Sequence, residues 1–227
     1  MTKANHRAAF SNDPKFLERL ARQGVNLSAG RAVEPSVSSA EIDQGSPPRK
    51  ESQATKRMRK VRETNMGGRG DRLAYDPISN SLTAYFPGAL LLSLNVMLRM
   101  HDASSTALKT TWTKRVEALR LQARSTLTDW TANAAYPVLV EEVYITPEAN
   151  LLDHESVAAA CKPILDAFVV NGFLPDDNGR FVAQPLAFTE RGTESGLLIR
   201  FRPSPKPWGL IEDTTIEQAR CSMILKK

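Results

Sequence analysis

The feature that most constrains the fold is a helical stretch flanked by two pairs of acidic residues. Asp153 and Glu155 stand before the stretch, and Asp176 and Asp177 follow it. Between the two pairs, apolar residues recur at the three- and four-residue spacing of an amphipathic helix: Val157, Cys161, Ile164, Leu165 and Phe168. The pattern predicts one helix that buries its apolar side and carries carboxylates at both ends.

Ser156 and Gly172 are the predicted ends of this helix. A serine hydroxyl can accept a hydrogen bond from a first-turn N–H, and glycine adopts the positive φ that often ends a helix. A helix of about 15 residues is about 22 Å long. The two acid pairs therefore meet only if the chain after Gly172 folds back along the helix, and Leu174-Pro175 is compatible with that return. Since Mg²⁺ prefers carboxylate oxygens, such a return would create a candidate metal site.

The same stretch resembles the RusA family of phage and prophage Holliday-junction resolvases. The residues that carry the resemblance are Asp153-His154-Glu155-Ser156-Val157, Lys162-Pro163, Asp166, and Gly172-Phe173-Leu174-Pro175-Asp176-Asp177. Ser93-Leu94-Asn95, followed by the segment from Leu98 to His101, resembles a second motif that lies after the first strand in that family. Two positions depart from the family pattern, because Glu155 stands where the family prefers Asp and Ser156 where it prefers Asn.

The resemblance implies a catalytic site built from three carboxylates and a lysine. It implies that Asp153, Glu155 and Asp177 bind Mg²⁺, with Mn²⁺ as a substitute, and that Lys162 is the catalytic lysine. It also implies a homodimer that acts on branched DNA. The residues alone allow a simpler interpretation of the lysine, in which Lys162 forms an i,i+4 ion pair with Asp166.

Basic charge is concentrated in the N-terminal third of the chain. Residues 1–72 contain 15 Lys and Arg against 8 Asp and Glu, whereas the remainder contains 15 against 17. No aromatic residue occurs between Phe16 and Tyr75, so this third has little apolar surface to offset the entropy of ordering. We therefore predict that residues 1–74 are a largely disordered basic tail. A short amphipathic segment over 14–24 is either a docking helix for a protein partner or a transient helix.

Two clusters of basic residues are candidate DNA contacts, because such side chains neutralise phosphates without sequence preference. The first cluster lies in the tail, and its candidate contacts are Lys56, Arg57, Arg59 and Lys60. The second lies on a helix predicted from Ser104 or Ser105 to about Leu127, and its members are Lys109, Lys114, Arg115, Arg120 and Arg124. The alternative for both clusters is a solvated charged surface.

Residues 75–227 are predicted to form one α+β domain, a small mixed β-sheet with two main helices packed on it. Strand patterns cover residues 82–86, 138–145, 180–188 and 197–202, and a terminal helix is predicted over 216–225. Trp112 and Trp130 are predicted core residues. Cys161 and Cys221 lack a CxxC partner and are expected to be free thiols. Because no stretch resembles a signal peptide or membrane span, a soluble cytoplasmic protein is expected.

Three functions remain open from the sequence. The first is a metal-dependent endodeoxyribonuclease that resolves Holliday junctions or related branched DNA in recombination and repair. The second is a RusA-like domain that holds junctions or another protein without cutting DNA. Its catalytic site would be weakened by Glu155 and Ser156, because small displacements of catalytic groups lower the rate. The third is an adaptor, in which residues 14–24 recruit a partner and the domain serves as a scaffold.

Overall fold

A computed structural model describes residues 51–68 and 70–224, and these form the predicted α+β fold. The described helices are α1 (Gln53–Met66), α2 (Leu94–Leu98), α3 (Asp102–Gln122), α4 (Arg124–Asn133), α5 (His154–Val170) and α6 (Asp213–Ile224). The strands are β1 (Arg72–Asp76), β2 (Ser81–Pro87), β3 (Val138–Thr146), β4 (Val182–Arg191) and β5 (Gly196–Pro203). The amphipathic segment over 14–24 and the first 50 residues of the predicted tail lie outside the described residues.

The five strands form one mixed sheet in the order β1-β2-β5-β3-β4. Its only parallel pair within the described chain is β3 with β4, and all other neighbours are antiparallel. Parallel neighbours need a crossover connection, which α5 supplies between the end of β3 and the start of β4. The helix that carries the candidate site is therefore the crossover of a βαβ unit.

One face of the sheet packs against the helices and forms the core. Aromatic rings from both layers meet there, since Phe86 of β2 lies 5.5 Å from Trp112 of α3 and 6.1 Å from Phe168 of α5, measured between ring centroids. The predicted core position of Trp112 is confirmed, and so is that of Trp130, which is fully buried and donates its indole N–H to the Phe173 carbonyl oxygen at 2.9 Å. None of the described helices is long and apolar enough to cross a membrane.

The long helix predicted from Ser104 or Ser105 to Leu127 is divided in two. Helix α3 ends at Gln122, Ala123 has φ −120° and ψ 45°, and α4 begins at Arg124. The prediction of one continuous helix is therefore wrong. The break lets Trp130 of α4 reach the core between Tyr75 and Phe201.

Helix α1 corrects the predicted domain boundary. Residues 51–68 and 70–74 were predicted to belong to a disordered tail, yet Gln53–Met66 is a helix with Ser52 as its N-cap. Val61 and Asn65 are buried, and the Asn65 side chain makes two hydrogen bonds to the Leu90 backbone, at 2.8 and 3.2 Å. The domain thus begins by residue 52 and not near Tyr75, because a few inward residues of this basic segment find partners in the fold.

Arg115 lies inside the domain and not on its exposed surface. Its Nε and one terminal nitrogen donate to the two carboxylate oxygens of Asp71 at 2.8 and 2.7 Å, and both side chains are at most 4% exposed. The other terminal nitrogen donates to Asn65 Oδ1 at 3.0 Å, and the guanidinium also reaches the Pro87 carbonyl oxygen at 3.2 Å. The prediction of Arg115 as a DNA contact is wrong, because its hydrogen-bonding groups are used to join α1, β2 and α3.

Gly68 allows this ion pair to close. A Cβ at that position would lie 2.8 Å from Asp71 Oδ2 and 3.2 Å from Arg115 Cγ, which is closer than a side chain tolerates. The chain between α1 and β1 can therefore pass directly over the buried pair.

We predict that Arg115→Met destabilises the domain while the neighbouring Lys114→Met does not. Removing one partner of a buried pair leaves an uncompensated charge and costs about 3–5 kcal/mol, whereas an exposed substitution stays within about 0.5 kcal/mol. Urea unfolding of both variants measures the difference. Equal stability of the two variants would contradict the structural role of Arg115.

Candidate functional site

Asp153 forms the N-cap of α5, a role that the sequence assigned to Ser156. Asp153 Oδ1 accepts the backbone N–H of Ser156 at 2.6 Å. Hydrogen bonds from the Ser156 side chain and then from its backbone hold the pKa of the Asp153 carboxyl below its ordinary value, with a smaller effect from His154. Asp153 is therefore an exposed, ionised carboxylate with a defined orientation at the start of the helix.

Ser156 fastens α5 to α2 instead of capping it. Its side chain is buried, and its Oγ accepts the backbone N–H of Leu94 at 3.1 Å. Leu94 follows Ser93 in the second motif of the sequence, so the two motifs that resemble the RusA family lie in contact. Glu155, one residue before Ser156, is exposed and has no partner within the described residues.

Lys162 lies between two carboxylates at the outer surface of α5. Its Nζ is 2.9 Å from Asp166 Oδ1 and also contacts Asp177 Oδ2. Lys109 of α3 approaches the other oxygen of Asp166 at 3.8 Å. The i,i+4 ion pair with Asp166 is confirmed, and it coexists with the contact to Asp177.

The turn after α5 brings Asp177 back to the helix, a return that the sequence left open and with which Leu174-Pro175 is compatible. The helix ends at Val170, and Gly172 adopts a φ of +77°. The backbone N–H of Phe173 then bonds to the Phe168 carbonyl oxygen at 2.9 Å, which reverses the chain. Asp176 fixes the next turn, because its Oδ1 accepts the Asp177 N–H at 2.8 Å and its Oδ2 accepts from the Asn178 side chain.

The carboxylates of the predicted metal site lie at two separate places, Asp153 and Glu155 at the start of α5 and Asp177 beside Lys162. Asp153 precedes Lys162 by nine residues of α5, which corresponds to about 13 Å along the axis. Across residues 51–68 and 70–224, no group of three or more His, Cys, Asp or Glu side chains is arranged to hold a metal ion. The exposed carboxylates have the oxygen chemistry that Mg²⁺ requires. Their arrangement within one chain, however, does not supply three ligands together.

The basic residues of α1 and α3 differ in how far their charge is neutralised. Arg57 pairs with Glu148 at 3.3 Å, and Arg59 pairs with Glu51 at 3.1 Å. Arg120 lies 3.5 Å from the Asn171 carbonyl oxygen. Among the predicted DNA contacts, those that are exposed without an ionic partner in the described residues are Lys56, Lys60, Lys114 and Arg124.

A groove between α1 and α3 is lined by unpaired basic side chains. It encloses about 670 Å³ and is lined by Arg62 from α1 and by Thr110, Lys114 and Gln122 from α3. The acid at its base, Asp71, is already paired with Arg115. The groove therefore has a net positive field. Arg62 is not among the contacts chosen from the sequence, because the sequence cannot show which side of α1 faces α3.

Glu142 is a buried carboxylate that the sequence analysis overlooked. It is 2% exposed on β3, and its Oε2 has no hydrogen-bond partner in the described residues. Burial raises the pKa of Glu142 to about 8. Burial and then Glu142 raise the pKa of the Cys161 thiol on α5. The signal was present, because consecutive residues Glu141 and Glu142 on a strand must point to opposite faces.

We predict that Glu142 makes the domain less stable as the pH rises from about 5 to 8. The carboxyl is protonated in the folded state up to a pKa of about 8 but ionises near 4.5 when unfolded, so the folded state binds the extra proton across this window. The stability that this proton contributes is lost as the pH approaches 8, by up to about 4 kcal/mol. Unfolding free energies at pH 5 and pH 8 should differ less in Glu142→Gln than in the unsubstituted protein. Parallel pH profiles of the two proteins would refute this assignment.

The fold and the site define an α+β domain with a lysine–carboxylate cluster on its crossover helix. Comparison with known proteins does not place the protein in any narrower class. No family model matches the chain, and no curated protein matches it. The function is therefore argued from the residues and their geometry.

Proposed function

We propose that the protein is a metal-dependent endodeoxyribonuclease that cuts Holliday junctions or related branched DNA. The observation that supports this function is the contact between Lys162 and Asp177, which are 15 residues apart. The resemblance to the RusA family assigns a catalytic lysine and a metal-binding carboxylate to these two positions. A surface ion pair contributes little to stability on its own. This one joins the two residues to which the resemblance assigns catalytic and metal-binding roles.

In this proposal the three carboxylates and the lysine have separate roles. The resemblance assigns Asp153, Glu155 and Asp177 to Mg²⁺ or Mn²⁺, which would supply an activated water and neutralise charge on the phosphate. Because the three carboxylates do not meet in the described chain, binding of the ion would have to draw Asp177 away from Lys162 toward the other two. Lys162 would place its ammonium beside the non-bridging oxygens of the scissile phosphate, where negative charge grows. Asp166 would keep Lys162 extended across the helix surface, since it holds the same Nζ at 2.9 Å.

The helical side of the domain would bind the DNA. Lys162, Lys109 and the α1–α3 groove all lie in the helix layer, and Thr110 and Lys114 of the groove are on the same stretch of α3 as Lys109. A duplex arm held by the groove would therefore lead toward Lys162. Since a four-way junction has two-fold symmetry, a homodimer would present one site to each of two strands.

A second candidate is a protein that binds branched DNA without cutting it. The observation that favours it is the separation of Asp153 and Glu155 from Asp177, together with the occupation of Asp177 by the Lys162 ammonium. In that case the basic surface would still bind DNA, although the carboxylates would not form a metal site.

We predict that cleavage of a labelled four-way junction with Mg²⁺ is lost in Asp177→Asn and in Lys162→Met. Each change removes a group that acts on the reacting phosphate, so the rate should fall by at least about 100-fold. Asp129→Asn, an exposed acid on α4 away from the cluster, serves as the matched control and should cut normally. Junction binding without cleavage by the unsubstituted protein, with either metal, would favour the second candidate.

We predict that Arg62→Ala combined with Lys114→Ala weakens DNA binding and its dependence on salt. Two lost phosphate contacts should lower the slope of log affinity against log salt by about two. Fluorescence anisotropy in EDTA measures binding without cleavage. Arg72→Ala, on the opposite side of the sheet, should leave the slope unchanged. An unaltered slope in the double variant would exclude the groove as a DNA contact.

A further inference from the structure

Two polar side chains without partners lie together on the helix-covered face of the sheet. Glu142 of β3 is buried, and its Oε2 has no hydrogen-bond partner among the described residues. Within residues 51–68 and 70–224, the only other buried side-chain nitrogen or oxygen in this situation is Thr189 Oγ1 on β4. In the strand register Glu142 pairs with Ala187, and Tyr144 pairs with Thr189. Since residues two apart on a strand share a face, Thr189 lies one row from Glu142 on the same face.

The side chains around Glu142 do not supply a positive charge. Cys161 faces it from α5, since Glu142 adds to the larger effect of burial in raising the pKa of that thiol. The phenol of Tyr144 is on the same side of β3, and Ile199 is the register partner from β5. The one charged side chain at a helix-facing position of β4 is Arg191 at the strand end, which donates to a loop carbonyl oxygen at 2.9 Å. The charged residues of α5 lie on its outer side.

Hydration of Glu142 would therefore change its charge. Burial raises the pKa of this carboxyl from 4.5 to about 8, so it stays protonated while α5 covers it and ionises once water reaches it. Between these two pH values, each opening that hydrates the carboxyl releases one proton. The proton stabilises the closed form, and this stabilisation is lost as the pH rises through the window.

The location of the two unpartnered atoms favours a local opening over unfolding of the whole domain. β4 is an edge strand of the sheet, and Thr189 is only partly buried. Water that entered between β4 and α5 would meet Thr189 Oγ1 and Glu142 Oε2, and would relieve the cost of burying both without a hydrogen bond. The rings of Phe86, Phe168 and Phe201 pack α5 against β2 and β5, on the other side of β3 from this path. Proteins commonly open in such limited units.

We propose that Glu142 is a proton-controlled switch of the contact between α5 and the sheet. In the closed form the carboxyl is protonated and Cys161 is covered. In the open form α5 lifts from β4, water reaches Glu142 and Thr189, the carboxyl ionises, and Cys161 is exposed. Because Lys162 follows Cys161 on the same helix, chemistry that needs Lys162 beside Asp177 belongs to the closed form. The switch itself does not rest on the proposed function.

The two cysteines of the full chain measure the opening directly. Cys161 is buried and Cys221 is exposed, so alkylation of Cys221 by N-ethylmaleimide reports the intrinsic reactivity of a thiol at each pH. The ratio of the Cys161 rate to the Cys221 rate, measured by mass spectrometry, follows the open fraction. From pH 6 to pH 8 the ratio should rise by about 50-fold, the change that the two pKa values of Glu142 require.

Two matched variants assign the rise to Glu142. In Glu142→Gln, which has no titrating group, the ratio should change by less than about twofold over the same pH range. Glu141→Gln alters the neighbouring acid on the opposite face of β3, where it pairs with Arg202, and should keep the full rise. If Glu142→Gln fails to fold, Glu142→Leu provides the same comparison, because an apolar side chain suits this buried site.

Urea distinguishes the local opening from complete unfolding. A limited opening exposes little surface, so the ratio at pH 8 should change by less than about twofold in about 1 M urea, whereas a route through global unfolding increases steeply with urea. The proposal is overturned by a flat pH profile in the unsubstituted protein, by a rise that persists without the Glu142 carboxyl, or by a ratio that follows the unfolding constant in urea. None of these measurements uses DNA or cleavage, so their outcome is independent of the nuclease assignment.

Discussion

The packing of the Phe168 ring against three other phenylalanine rings is the interaction on which the rest of the structure depends. The ring projects from the inner side of α5 and lies 6.1 Å from Phe86, 5.0 Å from Phe201 and 5.0 Å from Phe173, measured between centroids. The first two contacts seat α5 on β2 and β5, and the third holds the turn that returns the chain. Because Lys162 lies on α5 and Asp177 follows that turn, one packing contact sets the position of both partners in the candidate site.

The parts of the fold that could be predicted are those encoded by nearby residues. Alternation from Val138 onward predicted β3, and the helical period from Val157 to Phe168 predicted α5. The return of the chain after Gly172 was compatible with the sequence but not predicted by it, although glycine permits the positive φ that the backbone adopts there. The ion pair of Lys162 with Asp166 follows from their spacing on one helix.

The features that could not be predicted depend on partners far away in the chain. Arg115 resembles its exposed neighbour Lys114 in sequence, and only Asp71, 44 residues away, makes it a buried residue. The order of α1 rests on Asn65, whose partner is a backbone group at Leu90. Asp153 and Ser156 both have side chains that can cap a helix. The Ser156 hydroxyl instead accepts the backbone N–H of Leu94, a contact that the sequence does not show. Local pattern contains none of these contacts.

The two sides of the sheet differ in charge, and the candidate site lies on the side with unpaired basic residues. The helix layer exposes Lys56, Lys60 and Lys114 without ionic partners in the described residues, and Lys162 lies on the same side. By register the opposite face of the sheet carries three basic and three acidic side chains, so it offers little attraction to DNA: Arg72, Arg200, Arg202, Asp76, Glu141 and Glu190. In the proposed function, DNA would therefore approach the protein from the helix layer, the side on which Lys162 and Asp177 are in contact.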